Sequence, residues 1–278
     1  MNRIEAFGYI AAQAARGDIT LPTSVNAALR LQMALDDPGC HIEDAIKLVL
    51  GEPQLAARVV ALSNSAAFNR NADNTITSVR AAVMRIGYRS LQTLVASLVV
   101  RQFGSRIADA SLRAKAEQLW KHTAHVAALA HVLARRVTHI DPDTALFAAI
   151  VHEVGGFYLL SRADEFPGLL DDDPEKWAEL CEEVVSREVM RKLSIPEPVS
   201  AAILGARDGL MNMPPSDLLD TLILANQLAP VTSPLGTTEP MPEHSESVLD
   251  FVIDEETLAD ILRESEAELS SMSAALLV

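Results

Sequence analysis

The sequence predicts an all-α fold, built as a two-lobed helical bundle with an acidic helix at its C-terminal end. Alanine and leucine are abundant and alternating β-branched segments are scarce, which favours helices over strands. Apolar residues recur at spacings of three and four, as in Leu48, Leu55, Val59 and Leu62 around a helix break. With 278 residues, the chain can bury one large core or two modest ones.

Aspartate, proline and glycine mark the predicted helix ends. Asp141 suits an N-cap position, because its side chain can accept hydrogen bonds from the free amides of a first turn. Three prolines suit the first turns of helices: Pro22, Pro53 and Pro142. Three glycines suit helix C-termini: Gly51, Gly87 and Gly104.

The helices are expected to form one central domain between two terminal segments. An N-terminal helix should occupy residues 1–18. The domain should cover residues 19–230, with a first lobe at about 19–105 and a second lobe at about 106–230, and the lobes should share a continuous interface. Residues 231–278 should form a proline-rich linker followed by the acidic C-terminal segment.

The formal charge of −15 is concentrated near the C-terminus. Residues 239–268 contain eleven acidic residues and one arginine, a net charge of −10, and apolar residues are spaced among them as on a helix. We therefore expect an acidic amphipathic helix that docks on the body of the protein or on another chain. Two roles remain open for it: an acidic solvated face on an ordinary packed helix, or an autoinhibitory or partner-binding tail.

A basic region lies in the first lobe. Residues 58–113 contain eight arginines and two aspartates, a net charge of +6. Four of these arginines form a candidate face for an anion or a partner: Arg80, Arg85, Arg89 and Arg101. The alternative is a set of solvated helix positions and ion pairs with acidic segments. Duplex nucleic acid is not an expected partner, because the chain is acidic and contains no recognition motif.

Several classes of protein are disfavoured by what the sequence lacks. Cys40 and Cys181 are far apart and show no metal-binding or disulfide pattern. The sequence contains no run of eighteen uncharged apolar residues and no apolar export leader at its start, which predicts a cytoplasmic protein that does not cross a membrane. It also lacks a phosphate-binding glycine loop and the nucleophile motif of serine hydrolases.

A possible metal site is the strongest chemical signal. His152 and Glu153 are adjacent in the apolar segment 145–160, which we predict to be one helix. His122 lies thirty residues earlier, and Asn226 lies on a late apolar helix. Two histidines with two aspartates would suit a divalent metal that activates water for phosphoester hydrolysis. His122 with His125, three residues further on, is a rival metal pair.

Two of these four positions weaken the predicted metal site. The extra methylene of Glu153 shifts its carboxylate relative to an aspartate, and the amide of Asn226 carries no charge to hold a cation. We therefore predict a degenerate site with no catalytic residue and no metal or other cofactor. A metal, if one binds, should use His122, His152 and Glu153. Otherwise Glu153 should pair with His122 or a nearby donor in a structural polar network.

The order of these residues resembles the H, HD, D pattern of the HD phosphohydrolase superfamily. His122 and His152 match that pattern, whereas Glu153 and Asn226 depart from its two aspartates. Residues 19–103 resemble the HDOD domain, the HD-related output domain of bacterial signalling proteins. Three segments carry this resemblance: ITLPTSVNAALRLQMALDDP, EPQLAARVVALSNSAAFN and ITSVRAAVMRIGYRSLQTLVASLVVRQF.

The resemblance implies a non-catalytic signal-transduction module that acts by binding a protein. Its partner would be a signalling protein such as a response regulator, a sensor kinase or a cyclic-dinucleotide enzyme, and a homodimer is a further expectation. Two alternatives remain open. One is a residual phosphohydrolase or phosphodiesterase that uses a divalent metal, and the other is a nucleotide or cyclic-dinucleotide sensor that uses the arginine-rich lobe.

Overall fold

The computed structural model describes residues 2–19, 31–35, 37–51, 53–64, 68, 75–104, 107–170, 177–207, 209–236 and 253–276. These ranges contain helices α1 (Arg3–Ala15), α2 (Ile42–Leu50), α3 (Pro53–Ser63), α4 (Val79–Gly104), α5 (Ala110–Leu133), α6 (Pro142–Val151), α7 (Val154–Ala163), α8 (Glu183–Lys192), α9 (Glu197–Ala206), α10 (Leu218–Leu228) and α11 (Glu255–Leu276). Two π-helical turns adjoin them, π1 (Ala134–Thr138) after α5 and π2 (Ala178–Glu182) before α8. The described ranges contain no β-strand, and the predicted all-α fold is confirmed.

The helix-end signals act largely where they were expected. Asp141 caps α6 by accepting a hydrogen bond from the Thr144 amide, and Pro142 is the first residue of that helix. Pro53 begins α3, Gly51 is the C-cap of α2 and Gly104 ends α4. Pro22 lies outside the described residues.

Gly87 kinks α4 without ending it. Its φ of 79° and ψ of 171° lie outside the helical region, and the positive φ is a conformation that glycine adopts without a steric penalty. The kink separates the first two turns of α4 from the longer part, whose residues from Ser90 to Phe103 are mostly buried.

The two lobes pack through α4. Helices α2 and α3 pack on α4, and α4 packs in turn on α6 and α7 of the second lobe. Helix α1 packs on α8 and π2, so the N-terminal helix lies on the second lobe although it precedes the first lobe in sequence. Helix α11 packs on both α3 and α5 and therefore bridges the lobes. The exact domain boundaries given above stay predictions.

Residues 145–160 are two helices, so the prediction of a single helix is wrong. Helix α6 ends at Val151 and α7 begins at Val154. The Nδ1 of His152 lies 2.7 Å from the Ala149 carbonyl oxygen, so this side chain competes for a carbonyl at the helix end. Glu153 then adopts φ −98° and ψ 16°, outside the helical range. The break therefore places His152 and Glu153 between two helices, and neither residue lies within a helix.

The whole stretch Pro142–Ala163 has the length and apolar character of a membrane-crossing helix. However, 72% of its most apolar window is buried inside the fold. Core packing of α6 and α7 accounts for this composition, since a central helix pair must be apolar on most of its surface.

Close packing of α7 on α8 depends on a glycine. A Cβ at Gly155 would lie 2.0 Å from Ser186 Oγ and 3.0 Å from the Ser186 Cα atom. The next residue, Gly156, also faces a crowded environment, because a Cβ there would lie 2.9 Å from Leu235 Cδ1 and 3.1 Å from Glu153 Oε2. Gly155 therefore permits the close approach of α7 to α8, and Gly156 leaves room for the Leu235 and Glu153 side chains.

Asn64 joins the end of α3 to the chain that leads into α4. Its Oδ1 accepts a hydrogen bond of 2.8 Å from the Ile76 amide, and its Nδ2 donates to the Ile76 carbonyl at 2.7 Å. The same Nδ2 also donates to the Val60 carbonyl at 3.0 Å. One side chain thus satisfies three backbone groups, which explains an asparagine after an apolar helix.

We predict that Gly155→Ala lowers the free energy of unfolding by about 2–3 kcal/mol, because overpacking against Ser186 must be relieved by movement of α7 or α8. Urea titration monitored by circular dichroism measures this loss. Adding Ser186→Ala should recover part of it, since the hydroxyl makes the shortest contact.

The matched control for this prediction is Gly8→Ala. A Cβ at Gly8 meets no atom within 4 Å, so this variant should be more stable than the wild type by about 0.5–1 kcal/mol. Equal stabilities of the Gly155→Ala variant and the wild type would contradict the packing argument.

Candidate functional site

Three helices bring together the residues of the predicted metal site. His122 lies in the middle of α5, His152 is the C-cap of α6 and Glu153 is the N-cap of α7. One ligand atom of each residue lies within 4.8 Å of the other two. Within the described ranges, this is the group of three or more histidine, cysteine or acidic residues that converges in this way.

The hydrogen bonds of the two imidazoles decide which of their nitrogens carry protons. His122 Nδ1 lies 2.7 Å from the Val231 carbonyl oxygen, and His152 Nδ1 lies 2.7 Å from the Ala149 carbonyl oxygen. A carbonyl oxygen only accepts, so each Nδ1 is the donor. In the neutral rings both Nε2 atoms are then unprotonated, and these two atoms face each other at 3.4 Å.

Two opposed lone pairs make this point of the structure electron-rich. The pKa of His152 is lowered to about 4, because burial disfavours the charged ring more strongly than the Glu153 carboxylate favours it, and the neighbouring His122 ring acts in the same direction as burial. His152 is therefore neutral near neutral pH, and its Nε2 remains an acceptor. A cation that both Nε2 atoms and the nearby Glu153 carboxylate could share would remove the repulsion.

The donor set fits a single divalent transition metal. Two neutral imidazole nitrogens and one carboxylate are ligands that zinc, manganese or iron accepts. Carbonyls that hold the opposite ring nitrogens are the usual outer-shell support of such histidines, because they fix the tautomer and the ring orientation. His122, His152 and Glu153 would hold the ion.

A cavity of about 710 Å³ opens beside these residues. His152 and Glu153 line it, and so does Asn226, whose side chain is exposed on α10. Asn226 thus lies at the same cavity as His152 and Glu153, and its role there stays a prediction. Its amide adds an uncharged oxygen where an aspartate would add a negative charge.

An ion pair on the opposite cavity wall was missed by the sequence analysis. Glu182, at the end of π2, lies 3.1 Å from Arg207 Nη2, and the same nitrogen donates to Ser186 Oγ at 2.8 Å. Burial raises the pKa of Glu182 to about 7, Arg207 opposes the shift and Glu153 adds to it. The sequence contains little indication of this ion pair, because Glu182 and Arg207 are 25 residues apart and neither belongs to a recognisable motif.

A second missed element covers His122. The chain after α10 was predicted as a linker, yet Val231 and Thr232 accept hydrogen bonds from His122 and from Gln118 of α5. Leu235 is buried and lies against Gly156. Residues 231–236 thus form one side of the site. The role of their backbone carbonyls as hydrogen-bond acceptors could not be predicted from the side chains in the sequence.

Two expectations about side chains near the site have different outcomes. No hydrogen bond joins Glu153 to His122 among the described residues, where His122 Nε2 faces His152. His125 does not belong to the converging ligand group; burial lowers its pKa most, His122 lowers it too and Glu266 of α11 opposes both, and the rival pair of His122 and His125 stays a prediction.

The four arginines of the predicted anion face have partners inside the fold. Arg80 pairs with Glu43 through both guanidinium nitrogens, and Arg89 pairs with Asp141. Arg85 donates to the Ser63 carbonyl at 3.3 Å, and the Arg101 guanidinium lies 5.8 Å from the Trp120 ring centre. These contacts agree with the alternative of structural ion pairs, and the anion face stays a prediction.

We predict that Glu182→Gln changes how stability depends on pH. The folded state binds the Glu182 proton more tightly than the unfolded chain, so this contribution is present below pH 4.5 and is lost as the pH rises through about 7. The free energy of unfolding of the variant, relative to the wild type, should therefore rise by about 1–2 kcal/mol between about pH 5 and pH 8.

Urea titrations at several pH values test this prediction. Glu183→Gln is the control, because it removes the same charge from an exposed neighbouring side chain. Parallel pH profiles for the wild type and Glu182→Gln would show that the cavity wall does not hold Glu182 in a protonated form.

Comparison with known proteins places this geometry in a family. A sequence model of the HDOD domain matches residues 21–195, and the search of curated proteins found no match. A candidate metal-dependent phosphohydrolase from Shewanella amazonensis SB2B is similar in fold, with a TM-score of 0.74, 17% identity and coverage of 98% of this chain and 100% of that one.

Two further solved structures share the fold. One is an HDOD domain protein of unknown function from Geobacter sulfurreducens, with a TM-score of 0.66, 20% identity and coverage of 99% of this chain and 100% of that one. The other is a candidate signal transduction protein from Marinobacter aquaeolei VT8, with a TM-score of 0.59, 18% identity and coverage of 99% and 66%. The family match spans more than half of the sequence, and the chain belongs to the HDOD domain family.

Proposed function

We propose that this protein is a non-catalytic output module of bacterial signal transduction, which acts in the cytoplasm by binding another signalling protein. Membership of the HDOD family supports the signalling role. The observation that carries the non-catalytic role is the charge of the cavity: Asn226 replaces a carboxylate on one wall, and the Arg207 guanidinium occupies another.

Charge decides against hydrolysis because a divalent ion and its activated water need more negative charge than these residues supply. Glu153 is the one carboxylate within the converging ligand group. The positive charge of Arg207 also reaches this place: burial is the main cause of the lowered pKa of His152, the Glu153 carboxylate opposes it, and Arg207 adds a smaller lowering effect. A cation beside His152 would meet the same repulsion, which weakens metal binding and the acidification of water.

A partner of signalling type fits this reading. A response regulator, a sensor kinase and a cyclic-dinucleotide enzyme are the classes we expect, and a structural neighbour from Marinobacter aquaeolei VT8 is named for signal transduction. The arginines that would serve a nucleotide sensor already have partners within the fold, so we do not propose a nucleotide ligand.

A residual phosphohydrolase is the second candidate, and one observation favours it. The unprotonated Nε2 atoms of His122 and His152 converge, with Glu153 close to both. A metal held there would lower the pKa of a bound water and offset charge on a phosphoryl group. The protein's own contribution would be to orient the rings through the Val231 and Ala149 carbonyls.

We predict that restoring the missing charge restores metal binding. The double variant Glu153→Asp/Asn226→Asp should bind Mn²⁺ roughly tenfold or more tightly than the wild type, since a negative charge near an ion is worth on the order of 1 kcal/mol or more. Titration calorimetry and mass spectrometry of the metal content measure this gain. The matched control is Glu153→Asp/Gln227→Asp, which adds the same charge at the adjacent cavity-lining position.

The same preparations decide between the two candidates. The non-catalytic role predicts wild-type protein with much less than one metal ion per chain and no hydrolysis of bis(p-nitrophenyl) phosphate above the level of the His122→Ala and His152→Ala variants. Near-stoichiometric metal, with turnover that both histidine variants lose, would establish the hydrolase and overturn the proposed function.

A further inference from the structure

Ion pairs join the acidic C-terminal helix to the body of the protein. Glu264 binds Arg135 at 2.7 Å and Arg136 at 2.8 Å. Glu268 binds Arg135 at 2.5 Å and His131 Nδ1 at 2.6 Å. Two carboxylates of α11 thus engage three basic side chains at the end of α5 and in π1.

Within residues 255–270, where the burial of the α11 side chains is described, the apolar part of this contact is small. Ile261 is fully buried, Leu258 and Leu269 are half-buried, and Leu262 is exposed. Glu268, an acidic residue, is more deeply buried than either half-buried leucine. A helix that is only docked for its apolar area would show the opposite order, with leucines inside and carboxylates outside.

The receiving surface is shaped for acidic side chains. Arg135 and Arg136 are consecutive, and both reach Glu264 because the π-helical turn changes the direction of successive side chains relative to an α-helix. The surface also extends over α3, so its occupant bridges the two lobes. We call the surface formed by α3, α5 and π1, with His131, Arg135 and Arg136, the basic groove.

We propose that the basic groove is a docking site for acidic amphipathic helices, which α11 fills within the chain and which an acidic helix of a signalling partner takes by displacing α11. Charge complementarity selects the occupant. The occupant needs two acidic residues four positions apart, so that they lie one helical turn apart, and an isoleucine three positions before the first, as Glu264, Glu268 and Ile261 provide in α11. The proposal adds a surface to the binding function proposed above and rests on that function for the existence of a partner.

Exchange of occupants can begin at the Glu264 contacts, which are partly solvated, whereas the Glu268 side chain is only 10% exposed. The Arg135 and Glu264 side chains are 28% and 31% exposed, and Arg136 is 48% exposed. Pairs of this kind contribute little individually and are screened by salt. An acidic helix supplied by a partner then competes by mass action with α11, which is tethered to the groove because it belongs to the same chain.

The first measurement compares the full-length wild type with Glu264→Gln/Glu268→Gln. Hydrogen exchange of the backbone amides in residues 258–269 should be at least tenfold faster in the variant and should also accelerate with added KCl in the wild type. Glu255→Gln/Glu256→Gln is the matched control, because it removes two exposed charges from the first turn of the same helix. Unchanged exchange in Glu264→Gln/Glu268→Gln would overturn the proposal.

The second measurement uses a fluorescent synthetic peptide of residues 255–276 and fluorescence anisotropy. The peptide should bind Glu264→Gln/Glu268→Gln at least tenfold more tightly than it binds the wild type, whose own α11 competes. Binding should be lost on Arg135→Glu/Arg136→Glu combined with the same two substitutions, and a peptide carrying Glu264→Gln and Glu268→Gln should not bind.

Two results would overturn the docking site: no peptide binding to a chain whose α11 exchanges rapidly, or equal binding with and without Arg135 and Arg136. Both results are independent of metal content and of phosphoester turnover. Failure here would therefore leave the non-catalytic role standing, and a finding of metal-dependent hydrolysis would leave the groove intact.

Discussion

The site depends on two hydrogen bonds that tie buried imidazoles to backbone carbonyls. The Val231 carbonyl holds His122 and the Ala149 carbonyl holds His152. Each bond fixes a ring and leaves its Nε2 without a proton, so the two rings meet at 3.4 Å through lone pairs. Neither carbonyl belongs to the uninterrupted part of a helix. The Ala149 carbonyl lies near the end of α6, where the helix breaks, and the Val231 carbonyl lies in the non-helical segment that packs on α5.

The positions of His122, His152 and Glu153 are those of a metal site. The cavity beside them also contains a positively charged arginine and an uncharged asparagine, which do not favour a bound cation. Beside the Glu153, Glu182 and Glu183 carboxylates, the cavity presents the Asn226 amide and the Arg207 guanidinium. Arg207 pairs with Glu182, so this cation and this carboxylate engage one another. The proposed non-catalytic role follows from this pairing and from the uncharged Asn226 side chain, and a fold reused for binding would account for both.

Local signals carried most of what could be predicted from the sequence. The Asp141 cap, the Pro53 start and the glycine break at Gly87 each depend on the residue and its immediate neighbours, so their physics is visible in sequence. The convergence of His122 with His152 came from a resemblance, and the structure supports it. Long-range partners were not visible: Glu182 and Arg207 meet only because α8 and α9 fold against one another, which no short pattern encodes.

Long-range partners could not be predicted for the C-terminal segment either, and for this reason the sequence left the role of the segment open. Its charge and periodicity predicted an acidic helix, but the three basic residues that receive it lie more than a hundred residues earlier. Helix α5 carries both His122 at its centre and His131 near its end, so one helix contributes to the candidate metal site and to the basic groove. The described apolar side chains of α11 are the buried Ile261, the half-buried Leu258 and Leu269 and the exposed Leu262, beside the ion pairs of Glu264 and Glu268. Opening at α11 would expose the basic groove while the core around His122 and His152 stays packed, which separates the proposed binding surface physically from the candidate metal site.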